Sequence, residues 1–217
     1  YLTAEQRRAV LYTTSIDSGY PVIDQSNGWG RLDYVMASDG YGAFLGDVTV
    51  TMDASKGRFN AHDWWRNDIS GKGLLTKQGS GWLTLTGDNS YEGGTILKEG
   101  TLEAQSSKAF GSGNVLVEGG SLLVNTGLTV NNYIQQGGVL TLSIAQTKQE
   151  QLKVNGKVVI TGGDIVVKPQ HSKPVAGDRI KLISADQFEG RFDKVITQGF
   201  KATVLYDDTG LTLLVKE

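Results

Sequence analysis

The stretch Gly73-Leu-Leu-Thr-Lys-Gln-Gly-Ser-Gly-Trp-Leu-Thr-Leu-Thr-Gly-Asp-Asn-Ser-Tyr-Glu-Gly-Gly-Thr-Ile-Leu-Lys-Glu-Gly-Thr-Leu102 contains the start of a pattern that recurs along the chain. A glycine is followed by a short strand-like run at Gly81-Trp-Leu-Thr-Leu85 and again at Gly100-Thr-Leu-Glu-Ala104. The form returns at Gly120-Ser-Leu-Leu-Val124, Gly138-Val-Leu-Thr-Leu142 and Gly163-Asp-Ile-Val-Val167, so successive copies lie 19, 20, 18 and 25 residues apart. Aligned on the glycine, the second following position is Leu83, Leu102, Leu122, Leu140 and Ile165, and the fourth is Leu85, Ala104, Val124, Leu142 and Val167. The first and third positions mix polar and apolar residues. That contrast is the period-two signature of a strand with one buried face.

Half-buried strands that recur about every twenty residues, with no helix between them long enough to act as a crossover, fit a coil whose turns stack on one another. The expected fold class is therefore all-β: a right-handed, single-stranded parallel β-helix, with the ten apolar positions superposed in one column. Turns are expected at Gly87 to Gly94, Gly111-Ser-Gly113, Asn131-Asn132 and Gly162-Gly163, residues that tolerate bent or left-handed backbone. A phosphate-cradling loop is excluded, because no GxxxxGK[ST] or GxGxxG string leads into a helix.

Composition agrees. Among 217 residues there are 29 Gly and 3 Pro, which points to many tight turns and excludes a collagen triplet. A net charge of -2 with both signs interspersed gives no basic patch for nucleic acid. The absence of cysteine excludes disulfides and thiolate chemistry. No apolar run approaches the length of a membrane-spanning helix. A chain that opens at Tyr1 with no visible signal peptide is expected to be a fragment of a longer precursor.

Three segments follow. Residues 1–45 differ in texture: Thr3 and Gln6 form a capping box for a helix through about Thr14, followed by Gly19-Tyr-Pro21 and a glycine-spaced aromatic stretch to Phe44. This segment is expected to be the tail or linker of an upstream domain. Residues 46–176 hold the rungs, beginning with the alternation Val48, Val50, Met52 and an irregular rung across Phe59 to Ile69. Residues 177–217 lose the glycine repeat and are expected to form a capping segment, with Lys201 to Tyr206 and Leu211 to Val215 joined by Asp207-Asp-Thr-Gly210 as a hairpin. Such a cap shields the last rung, whose open backbone would otherwise recruit another chain.

The string from Gly73 to Leu102 closely resembles the autotransporter-associated β-strand repeat, whose recurring form is GLTK-GxGTLTLTGxNxYxGGTxxxxGTL. Trp82 stands where that form usually has Thr. The segment from Gly177-Asp-Arg-Ile180 to Leu211-Thr-Leu-Leu-Val215 resembles the terminal part of such passengers. The resemblance implies a precursor with a signal peptide, a passenger exported to the surface of a Gram-negative bacterium, and a C-terminal outer-membrane β-barrel. Gly28-Trp-Gly-Arg-Leu32 and Ala37-Ser-Asp-Gly-Tyr-Gly-Ala-Phe44 resemble the junction that follows a type 2 phosphatidic acid phosphatase or vanadium haloperoxidase-like domain, and a subtilisin-like protease is the competing neighbour.

Catalysis by these residues is not expected. The Lys-x6-Arg-Pro, Pro-Ser-Gly-His and Ser-Arg-x5-His segments of such phosphatases do not occur, nor does a Gly-x-Ser-x-Gly elbow. His62 and His171 lie far apart in sequence, without His or Cys neighbours at ligand spacing. Asp24, Asp33, Asp39, Asp63 and Asp68 could form a glycosidase-like carboxylate pair, but their spacing defines none. No cofactor and no metal are expected. The expected role is a structural stalk with the upstream domain and the outer-membrane barrel as partners in one precursor. The alternatives are adhesion or self-association through an aromatic face of Trp64, Trp65, Trp82 and Tyr91, or completion of a hydrolase fold by the N-terminal segment.

Overall fold

The computed structural model describes residues 1–16, 29–145 and 150–217. Gly19 to Pro21, Asp24 and Gly28 lie outside these residues. Among the described residues the strands form a parallel β-helix with two seven-stranded sheets, one of five strands and a two-stranded pair of Ala43–Phe44 with Ser70–Gly71. The first sheet stacks His62–Trp65, Trp82–Leu85, Thr101–Ala104, Ser121–Val124, Val139–Ile144, Asp164–Pro169 and Lys194–Thr197. Four of the neighbouring pairs in it join consecutive copies of the glycine-strand repeat.

Their register is the one that the repeat requires. Leu83, Leu102, Leu122, Leu140 and Ile165 are cross-strand partners in turn, as are Leu85, Ala104, Val124, Leu142 and Val167. All ten side chains are fully buried in one continuous apolar cluster. Burying each Leu, Ile or Val contributes about 1.5–3 kcal/mol before the cost of ordering the chain.

The second sheet stacks Val48–Thr51, Leu75–Gln78, Thr95–Leu97, Val115–Val117, Tyr133–Gln135, Lys157–Ile160 and Gln187–Gly190. Several of its strands have only three residues, and three inward positions are polar, Thr95, Lys77 and Gln135. Lys77 is in register with Leu97 and Val117, and Gln135 continues the same column. The buried Lys77 ammonium donates to the carbonyls of Gln78, Gly79 and Glu99 at 3.2, 2.9 and 3.2 Å. Burial lowers its pKa to about 8. Gln135 accepts from the Tyr133 hydroxyl at 2.7 Å, so neither Lys77 nor Gln135 is left unpaired.

On the third side of the early rungs, the Thr-Gly-Asp-Asn-Ser-Tyr turn does the packing. Asn89 Oδ1 accepts from Ile69 N at 2.7 Å and its Nδ2 donates to Ala109 O at 2.7 Å, which ties three successive coils together. A Cβ on Gly87 would lie 2.0 Å from the Asn67 carbonyl, so this corner admits only glycine. From Leu128 onward the third side becomes a sheet of Leu128–Val130, Leu152–Val154, Arg179–Ser184, Gly210–Val215 and Ala202–Asp207. Its last two strands form the antiparallel hairpin expected at Asp207 to Gly210.

At the other end, the helix Ala4–Thr13 starts on the expected capping box: Thr3 accepts from Gln6 N while Gln6 Oε1 accepts from Thr3 N. Val10 enters the same apolar cluster as the rungs, and Gln6 Nε2 donates to Thr49 O at 2.7 Å on the first strand of the second sheet. The irregular rung between Phe59 and Ile69 resolves into a single helical turn, Arg58–Ala61, and the strand His62–Trp65.

Candidate functional site: the aromatic and polar face of the first sheet

Of the four aromatics expected on a contact surface, two are interior. Trp65 and Tyr91 are 1 % and 0 % exposed, because each falls on the inward phase of its segment. Trp65 packs among Tyr41 and Phe44, and its Nε1 donates to the Tyr1 hydroxyl at 2.8 Å. Tyr91 packs on Phe44, and its hydroxyl pairs with Thr95 Oγ1 at 2.6 Å. The exposed face therefore narrows to Trp64 and Trp82, both half-buried.

These two meet at His62. The imidazole stacks on Trp64 with ring centroids 3.7 Å apart and on Trp82 at 4.3 Å. Trp64 and His62 stand on one side of their strand two residues apart, and His62 is the direct cross-strand partner of Trp82. Beneath the aromatics lies Glu103, 4 % exposed. Its Oε2 accepts from Trp82 Nε1 at 3.0 Å and from Thr84 Oγ1 at 2.8 Å. Its Oε1 accepts from Gln105 Nε2 at 2.9 Å and from Asn125 Nδ2. The ladder continues to Ser143, which donates to Asn125 Oδ1 at 2.7 Å. A carboxylate can be buried here because four donors replace its water.

The same bonds decide what this site can do chemically. His62 Nε2 lies 2.9 Å from Thr84 Oγ1. Thr84 commits its one hydroxyl proton to Glu103, so His62 Nε2 carries a proton and donates it to Thr84. That polarity is the reverse of a nucleophile–base pair, in which the imidazole must accept from the hydroxyl. Burial lowers the pKa of His62 below the usual imidazole value, against the opposing pull of Glu103 and Asp63.

The aspartates are dispersed. Asp33 caps the short helix Tyr34–Ser38, Asp39 pairs with Arg66 at 2.8 Å, Asp63 accepts from the Tyr1 hydroxyl at 2.5 Å, and Asp68 accepts from Asp88 N at 2.7 Å. His171 is exposed in a turn. Among the described residues no group of three His, Cys, Asp or Glu converges to hold a metal, and no helix is long and apolar enough to cross a membrane. The buried Glu103 network was not foreseen. Glu103 occupies the outward phase of a strand, where an acidic residue reads as solvated, and three of its four partners, Trp82, Thr84 and Asn125, come from neighbouring coils about twenty residues away.

Residues 75–104 match the passenger-associated-transport-repeat family. The chain is 31% identical over 167 residues, 75% of its own length, to the autotransporter lipoprotein NalP of Neisseria meningitidis. It is 32% identical over 158 residues, 58% of its length, to an extracellular serine protease of Serratia marcescens, and 34% identical over 116 residues, 51% of its length, to the BmaC autotransporter adhesin of Brucella suis. It spans only 15% of the first two relatives and 3% of the third. The matched repeat contains the turn whose Asn89 staples successive coils, and the region resembles a repeat segment and not a catalytic domain. With its stacked rungs, its repeat and these relatives, the chain belongs to the passenger regions of bacterial autotransporters.

Proposed function

We propose that this chain is a stalk. It holds an upstream domain away from the outer membrane and supplies stable rungs that favour folding during export. The observation that carries this reading is the single continuous apolar cluster that runs from Trp65 in the first strand to Val195 in the seventh, a rod of roughly 29 Å at strand spacing. As a passenger segment it works at the surface of a Gram-negative bacterium or in the extracellular space. Its partners in this reading are the upstream domain and a C-terminal outer-membrane barrel of the same precursor. That upstream domain is phosphatase-like or subtilisin-like; the Serratia relative, named a serine protease, favours the second. Deleting residues 70–215 from the precursor should abolish surface display of the upstream domain, and display that survived the deletion would show that no stalk is needed.

A second reading has its own observation. Trp64 and Trp82 keep part of their indole surface in solvent although one strand spacing away the same sheet buries Glu103. An adhesive contact would use that surface. Trp82→Thr and Trp64→Ser should then weaken host-cell binding or bacterial aggregation; unchanged binding discards it.

A further inference from the structure

The C-terminal end of the solenoid is uneven. Past the coil that contains Arg179–Ser184, the first and second sheets each add one strand, whereas the third adds two, so Ala202–Asp207 overhangs the last complete coil. This outer strand pairs with Gly210–Val215 on one side and with no strand on the other among the described residues. Asp207 pairs with Gly210 across the two-residue turn, and Lys216 N donates to Lys201 O at 2.8 Å. By the alternation of an antiparallel ladder, residues 201, 203, 205 and 207 direct their amides and carbonyls at the hairpin partner, and Ala202, Val204 and Tyr206 direct theirs at the open edge.

The charges at this edge lie only at its ends, Lys201 and Asp207, with Arg191 stacked over the Tyr206 ring at 4.9 Å. Between Ala202 and Tyr206 there is no proline, glycine or charge. The side chains of Ala202, Val204 and Tyr206 lie half-buried on the core side, beside Val195 and Phe200 at the end of the apolar column. Both the backbone edge and the end of the core are thus open at one place.

We propose that this edge pairs with the same strand of a second copy, joining two solenoids tail to tail about a two-fold axis through Val204. In that register Val204 faces the partner's Val204 and Ala202 faces the partner's Tyr206. All three outward-directed residues then become hydrogen-bonded pairs, giving about six backbone bonds. Lys201 falls opposite the partner's Asp207, twice by symmetry, at the non-hydrogen-bonded positions where side chains approach most closely. Two-fold registers centred on Thr203 or Leu205 lose the charge match and shorten the ladder. The pairing also brings the half-buried ends of the two apolar columns together. It concerns only residues 195–207, and it belongs to a passenger released from its barrel, because the stalk reading places that barrel at this same end of the rod.

Sedimentation velocity on the 217-residue chain, run over a concentration series, tests this together with amide exchange. The expected result is a concentration-dependent species of twice the 23.3 kDa chain mass, with the Ala202, Val204 and Tyr206 amides slowing as it forms. Val204→Pro removes an amide that the single chain leaves unbonded, so it should fold normally and remain monomeric. Lys201→Glu turns both flanking pairs into like-charge contacts and should weaken the dimer about tenfold. A single monomeric species at every concentration overturns the proposal, as does a dimer that leaves those three amides fast. If Val204→Pro loses its β circular dichroism, exchange in the unaltered chain decides by itself.

Discussion

Glu103 shows how one residue can hold a lateral face together. Its four donors come from Trp82, Thr84, Gln105 and Asn125, and removing the acceptor leaves the buried ones unpaired. Glu103→Ala should cost about 3 kcal/mol in urea unfolding and red-shift tryptophan emission as Trp82 loosens; a loss below about 0.5 kcal/mol would mean that water replaces the carboxylate. Lys77 makes a pH-dependent contribution. Its folded pKa of about 8 lies below its unfolded value, so the unfolded chain binds more protons between the two and stability rises as pH climbs from 8 towards 10. Above pH 10 the sign reverses, because burial raises the pKa of Tyr91 and Tyr133 and only the unfolded chain releases those protons. Thermal midpoints across pH 7–11 should therefore pass through a maximum near pH 10, and Lys77→Met should remove the rising limb.

The elements divide into those that local chemistry specifies and those that stacking specifies. The first-sheet strands Trp82–Leu85, Thr101–Ala104, Ser121–Val124, Val139–Ile144 and Asp164–Pro169 follow the glycine repeat with clear alternation, and the helix Ala4–Thr13 carries a capping box, so each was legible. The three-residue strands Thr95–Leu97 and Val115–Val117 are too short to show a period and become strands only because a neighbour above and below pairs with them. The corners between strands are specified by glycine. Gly94 has a φ of +94°, and a Cβ there would lie 2.6 Å from Asn114 O. Gly94→Ala should therefore destabilise the chain by about 2 kcal/mol, measured by chemical denaturation, through strain in the left-handed backbone and the clash.

Across the whole molecule, stability is a sum over coils that touch only their neighbours. Deleting Thr101 to Gly120, one full period, should leave a cooperative, β-rich protein, because Trp82–Leu85 then meets Ser121–Val124 with its leucine column intact. Deleting only residues 101–110 would set inward against outward positions across half a coil and should abolish the β circular dichroism. Equal tolerance of both deletions would show that register does not hold the rod together.

From sequence alone came the coil period, the apolar column, the terminal hairpin and the family of the repeat, because each rests on residues that are near one another or recur at a fixed interval. Tertiary structure decided which aromatics face water, where Lys77 and Glu103 find partners, and that the last hairpin strand is left open on one edge. The physical reason is distance along the chain. A side chain's phase within an irregular rung and the donors to a buried charge depend on coils some twenty residues away, and no local pattern records which of those atoms will meet.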